Sequence, residues 1–332
     1  MNIFVVVWRG FRILPALIVA VMAVALLSGP ASADRYGAAF PFTKKTVSTP
    51  RATIAYVDIG DPDGQPIVFL HGVPTSSYLW RHVLPGVESH GRRLIALDFV
   101  GFGDSTGTGY GILDQVGHLE SFIEALGLSN IVLVTHDWGA GIGLIWASRH
   151  AQKLAAFATM EGALPPVYPR PDVNSFGPMA PLFRRMRDPV TGPISILQEN
   201  IWIEKILPKS VRLPLDKKEM AAYRRPFPTP ESRVPILEMI QSAPIGGQPA
   251  DVTAALDAAA VWWRETDVPK LFLYARPGRL LPKRLAKWAA ANLKNVTIGY
   301  VGPGVHFLQE TSPRRIARHL DKWLRGLDPP PN

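Results

Sequence analysis

The sequence predicts an α/β fold in which a mostly parallel, doubly wound sheet carries an inserted helical cap. Apolar runs of strand length alternate with segments of helix length over most of the chain, the order that gives parallel strands joined by crossover helices. The middle runs are continuously apolar, as strands covered on both faces are. The alternation stops between Pro165 and Pro249, an 85-residue stretch that holds 16 of the chain's 32 prolines.

Strands are expected at 53–58, 67–71, 93–98, 131–135, 156–160, 270–275 and 297–301. The runs IVFLH at 67–71 and IVLVT at 131–135 show the unbroken apolar pattern most clearly. Helices are expected between them at 78–88, 110–126, 140–149, 282–293 and 313–325. Within 165–249 the helical stretches are short, 195–206 and 216–223. That segment therefore reads as a lid inserted between two strands, over the carboxyl ends where open α/β sheets bind ligands. The expected organisation is a core of 34–164 and 250–326, a cap of 165–249 and a frayed tail at 327–332.

Residues 1–33 read as an export signal. Arg9 and Arg12 form a basic region, an apolar run from Ile13 to Leu27 is interrupted by Pro15, and Ala31-Ser32-Ala33 supplies a cleavage pattern. Cleavage near Ala33 makes Asp34 the first mature residue and puts the folded protein in the periplasm or outside the cell. An uncleaved anchor helix is the alternative, although the run is short for a span of ~20 residues. Loss of the two arginines takes the formal net charge from +9 to +7. The basic residues cluster at 276–294 and near the C-terminus without the interleaved aromatics of a nucleic-acid reader. No nucleic acid and no specific membrane partner is expected, beyond loose attraction to anionic surfaces. The chain has no cysteine, which excludes disulfides, thiol nucleophiles and cysteine-held metals.

Polar clusters fall at the carboxyl ends of four expected strands: His71-Gly72-Val73-Pro74, Thr135-His136-Asp137-Trp138-Gly139, Met160-Glu161-Gly162 and Gly304-Val305-His306-Phe307. Asp137 stands between small residues, Thr135 and Gly139, in the pattern of a sharp strand-to-helix turn that exposes a nucleophile. The helix behind it points N–H groups at that position, which suits an anion. The alternative is a plain helix cap. A carboxylate nucleophile attacks a saturated electrophilic carbon and forms an ester, which a histidine-activated water cleaves. A serine would form an ether that such a water leaves intact. Substrates are thus alkyl compounds with a leaving group, or epoxides.

His306 is the expected base, because the other histidines lie in the turn loops as scaffolding or in helices without a motif. Glu161 is the best acid partner for it, since the loop Ala275-Arg276-Pro277-Gly278 offers none. The main-chain N–H groups of Val73 and Trp138 are the expected oxyanion donors. The glycine-rich GFGDSTGTGYG at 101–111 lacks the Lys-Ser/Thr of a phosphate cradle, and no metal-ligand spacing is present, so neither cofactor nor metal is expected.

The segments HGVPTSSYLWR (71–81), LDFVGFGDS (97–105), THDWGAGIG (135–143), QENIWIEKILP (198–208), EMAAYRRPF (219–227), SAPIGGQPADV (242–252) and GVHFLQETSP (304–313) resemble the haloalkane dehalogenase family of α/β-hydrolases, from about residue 40 to 325. The resemblance implies an α/β-hydrolase fold, with Asp137 as nucleophile, His306 as base and Glu161 as acid after the sixth strand. It also implies Trp138 as a halide-binding indole, and Phe227 and Pro244 as pocket lining. Where the family usually has an asparagine that donates a second hydrogen bond to the halide, this chain has Val73. Losing that donor costs about 1.5–3 kcal/mol in a dry pocket. Trp202 falls where related lids carry a pocket phenylalanine, and either replaces the donor or serves as apolar lining.

The leading expectation is hydrolysis of a haloalkane to alcohol, halide and a proton. Epoxide hydrolysis is the alternative and would call on the lid tyrosines Tyr168 and Tyr223. A weakly active or ligand-binding relative is the third.

Overall fold

Among the described residues, which are 36–87 and 91–327 of the computed structural model, nine strands form one sheet. They are β1 (Lys44–Thr49), β2 (Ala52–Gly60), β3 (Gln65–Leu70), β4 (Arg92–Leu97), β5 (Thr106–Gly107), β6 (Ile131–Asp137), β7 (Leu154–Gly162), β8 (Lys270–Pro277) and β9 (Val296–Gly304). The order is β1-β2-β4-β3-β6-β7-β8-β9, with the two-residue β5 paired to β2. β2 runs antiparallel to both β1 and β4, and every pair from β4 across to β9 is parallel. The expected export segment 1–33, and residues 328–332 of the expected tail, lie outside the described residues.

The unbroken apolar runs become the sheet's centre because alternate residues face opposite layers. In β6, Ile131 and Leu133 pack into the layer of helices Ile112–Ala125, Trp138–Arg149 and Ala250–Glu265. Val132 and Val134 pack on the other side against Trp80, Leu84 and the helix Pro313–Arg325. All four are fully buried. With two covered faces, the chemistry is confined to the strand ends.

Three local expectations are corrected. The helix expected at 78–88 is two 3₁₀ turns, Ser77–Trp80 and Leu84–Gly86, because Pro85 has no N–H to continue a helical ladder. The helix expected at 195–206 is broken into two wide turns, Ile194–Gln198 and Trp202–Ile206, around Asn200 at φ 49°. A 16-residue helix, Ala250–Glu265, was not expected; Val252, Leu256, Ala259 and Trp263 recur at helical spacing and form its buried face. The helix expected at 216–223 forms as Lys217–Arg224, opened by a capping box between Asp216 and Glu219.

A buried ionic cluster joins this short helix to the core. Arg81, its side chain fully buried, donates to Glu310 Oε1 and Oε2 at 2.6 and 2.8 Å. Its guanidinium also lies 3.9 Å from the Tyr78 ring centroid and 3.8 Å from Glu219 Oε1. The Tyr223 hydroxyl donates to the same Glu310. Removing the cation alone leaves a buried carboxylate uncompensated. Arg81→Met is expected to lower unfolding stability by about 3–5 kcal/mol in denaturant titration. Adding Glu310→Gln should recover part of that loss, and an additive double variant would contradict the coupling.

Candidate active site

β6 delivers Asp137 at φ 49° and ψ −126°, a conformation that costs a non-glycine residue about 1–3 kcal/mol. Glycines next to it make the turn sterically possible. A Cβ on Gly139 would stand 2.4 Å from the His71 carbonyl oxygen, and one on Gly72 would stand 2.2 Å from Asp137 Cβ. The turn sends the Asp137 side chain away from the sheet and toward the backbone of the loop after β3. There the Val73 N–H donates to Oδ1 at 3.0 Å.

Glu161, in β7, is fully buried and also has a positive φ, 45°. Its Oε2 accepts the N–H groups of Arg279 and Leu280 at 2.9 and 2.8 Å, and its Oε1 accepts that of Leu281 at 3.1 Å. The loop that offers no acid thus supplies the N–H groups that hold one. His306 follows β9 and bridges the two carboxylates. Its Nδ1 lies 3.3 Å from Glu161 Oε2, and its Nε2 lies 3.4 Å from Asp137 Oδ2.

Burial opposes charge on both partners of the Asp137–His306 contact, and mutual attraction outweighs it. The His306 pKa is pushed up to about 9: burial lowers it, but hydrogen bonds to Asp137 and Glu161 and their charges raise it further. Burial would raise the Asp137 pKa, yet the His306 hydrogen bond and charge, with the Trp138 N–H, hold it below the ordinary carboxylate value. Both neighbours thus favour a proton on the imidazole between them. The neighbouring histidines are neutral. Burial pushes His71 down to about 4 and His136 to about 3. The Phe99 N–H donates to His71 Nε2 at 2.9 Å, which leaves His71 Nδ1–H to donate to the Gly72 carbonyl at 2.9 Å. His136 Nε2 is 3.1 Å from the His306 carbonyl. Both act as scaffold.

Four of the sequence-expected residues, Asp137, Trp138, Trp202 and His306, line one cavity of about 220 Å³. The Trp138 ring packs 4.7 Å from Tyr168, which also lines the cavity. Trp202 Nε1 is buried with no hydrogen-bond partner among the described residues. Val73 meets the site through its backbone, and its side chain belongs to the apolar core. Phe227 and Pro244, expected as lining, are not in the cavity wall. Phe227 packs edge-on against Phe102 at 5.9 Å, and the Pro244 carbonyl accepts the Arg170 N–H at 3.0 Å, while its neighbour Ala243 reaches the cavity. Sequence reasoning missed Ser210 and Arg279. The Ser210 carbonyl accepts the His306 N–H at 3.0 Å, and Arg279, which lines the cavity, donates from Nη1 to Ser210 Oγ at 2.7 Å. A lone serine in a proline-rich lid and an arginine in a basic run carry no sequence signal.

Comparison with known proteins gives concordant results. The model of a family described as the alpha/beta hydrolase fold matches residues 65–189. A haloalkane dehalogenase of Agrobacterium fabrum is 40% identical over 267 residues, covering 80% of this chain and 86% of that protein. One of Mesorhizobium japonicum is 38% identical, covering 82% of this chain and 88% of its own length. Among solved structures, a haloalkane dehalogenase from Bradyrhizobium elkani superposes with a TM-score of 0.82 at 36% identity, covering 86% of this chain and 98% of that one.

Because Asp137 is the first carboxylate to hold the His306 proton, Asp137→Asn should move the imidazole titration well below about 9, as followed by NMR. The sign for stability follows. A raised folded-state pKa contributes stability that is complete below 6.5 and is lost as pH rises through about 9. The variant should lack that part of the wild-type alkaline loss. An imidazole still titrating near 9 in the variant would contradict the assignment.

Proposed function

This chain belongs to the haloalkane dehalogenase family of α/β-hydrolases and is a hydrolase acting on carbon–halide bonds; from that premise we propose that Asp137 is its nucleophile, His306 its base and Glu161 the acid that orients the base. The observation that carries the assignment is the bridged geometry. Oδ1 of Asp137 is taken by the Val73 N–H, which leaves Oδ2, beside His306 Nε2, free to attack.

The Oδ2–carbon bond forms as the carbon–halogen bond breaks, and the halide leaves with the bonding pair. Asp137 is then a neutral ester and no longer holds the His306 proton, which passes to solvent. His306 Nε2 next accepts a proton from water as that water attacks Asp137 Cγ. Negative charge grows on Oδ1, against the N–H groups of Val73 and Trp138. Collapse breaks the Cγ–Oδ2 bond, the alcohol leaves with a proton from His306, and the proton left on the new carboxyl passes to His306, which restores the aspartate. The sum is haloalkane plus water giving alcohol, halide and one proton.

The departing halide needs donors, and Val73 has none on its side chain. We assign that role to the Trp138 and Trp202 indoles. Support comes from Trp202 Nε1, a buried N–H without a partner among the described residues on a residue that lines the same cavity as Asp137. Epoxide hydrolysis has less support, since it calls for two cavity tyrosines. Tyr168 lines the cavity, whereas the Tyr223 hydroxyl donates to Glu310 and the residue is not in the wall. Export through residues 1–33 stays part of the proposal, with Asp34 as the N-terminus of the exported protein.

Two variants test this reading. His306→Gln should form the ester and fail to hydrolyse it, so mass spectrometry after a bromoalkane should find protein heavier by one alkyl group; unmodified protein would contradict the order of steps. Trp202→Phe should weaken chloride or bromide quenching of tryptophan fluorescence by about tenfold or more, and unchanged quenching would overturn the two-indole site.

A further inference from the structure

The catalytic cavity carries more positive charge than a neutral haloalkane requires. Arg170, Arg279 and Arg284 all contribute to its wall, and among the described residues Asp137 is the one acidic residue that does. Arg279 is the closest to the chemistry in the chain of contacts, because its own N–H holds Glu161 and the charges of Glu161 and Asp137 both act on its guanidinium. That guanidinium is only partly exposed, and burial pulls its pKa below the ordinary arginine value. Yet it makes a single side-chain hydrogen bond, from Nη1 to Ser210 Oγ at 2.7 Å, and has no carboxylate partner among the described residues.

The other two arginines do not compensate. Arg284 is exposed and has no hydrogen bond or ion pair among the described residues. Arg170 donates from Nη1 to the Ser175 carbonyl at 3.3 Å, and its Nε is buried without a partner. A partly desolvated guanidinium normally recovers its cost with a bidentate anion. Here Arg279 lines a cavity whose other walls, Phe176, Phe183 and Trp202 among them, suit an alkyl chain.

We propose that the cavity takes haloalkyl substrates that carry a carboxylate or similar anion remote from the carbon–halogen bond, with the Arg279 guanidinium as the anion's receptor. This rests on the dehalogenase reading of the same site. Asp137 and Glu161 already have partners in His306, which bridges them, and in the backbone N–H groups on each carboxylate, so neither needs Arg279 as a counter-charge. Once Asp137 is alkylated it carries no charge, so the attraction of Arg279 for a substrate anion has one fewer competitor during the hydrolytic step.

The test compares bromide release from bromohexanoate, brominated at its terminal carbon, with that from the isosteric neutral amide and from bromohexane. The acid is expected to exceed the amide in kcat/KM by about tenfold or more, a preference that weakens with added salt. Arg279→Leu should collapse the acid-to-amide ratio toward one, and Arg279→Lys should retain part of it. Bromohexane turnover reports whether each variant still folds and reacts. An amide as good as the acid in the wild type overturns the proposal and leaves the dehalogenase intact. An equal fall for all three substrates in Arg279→Leu also overturns it, because the residue then serves the triad. No bromide from any substrate in the wild type fails the dehalogenase reading, and the proposal with it.

Discussion

Three ionisable groups packed away from water set the terms for the rest of this structure. Asp137, Glu161 and His306 each expose less than a tenth of their surface, so each charge must be met by protein. Backbone meets most of it. Val73 and Trp138 serve one carboxylate, and residues 279–281 serve the other. Backbone N–H groups are aimed by the path of the chain, so the ends of β3, β6, β7 and β8 must stop where they do. The two positive φ values, at Asp137 and Glu161, and the two glycines that cannot bear a side chain, follow from the same requirement.

The base is governed from two sides. His306 hangs between the carboxylates, while its own N–H and that of Phe307 donate to the Ser210 carbonyl in the segment between β7 and β8. A few residues on, Glu310 meets Arg81 from the core and Tyr223 from the helix Lys217–Arg224. The inserted segment therefore reaches His306 directly through Ser210, and the stretch just after it through Tyr223, by named hydrogen bonds rather than by general packing.

The sheet was legible because its central strands are apolar on both faces, and that pattern survives in a single sequence. The Asp137 turn was legible for a related reason: small residues around an acid at a strand end are rare without a cause. What stayed hidden depended on contacts distant in the chain. β1 is a half-exposed, lysine-bearing edge strand, fixed by pairing with β2 and by the ion pairs of Lys44 with the distant Asp98 and Asp104. The helix Ala250–Glu265 begins straight after the proline-rich segment, which masked its spacing. Phe227 carries a pocket-like sequence context but turns to Phe102, a choice made by the fold around it. The electrostatic character of the cavity was least legible of all, since its arginines come from sites over a hundred residues apart, Arg170 and Arg279 among them.

Trp202 carries a buried indole N–H that finds no acceptor among the described residues. Such a group holds the unliganded fold above its best free energy by on the order of 1–3 kcal/mol. If halide is what relieves it, the ion becomes a structural component as well as a product, and the fold tightens as halide accumulates. The protein's robustness would then track the halide concentration of its surroundings, and the medium itself would set how durable the catalyst is.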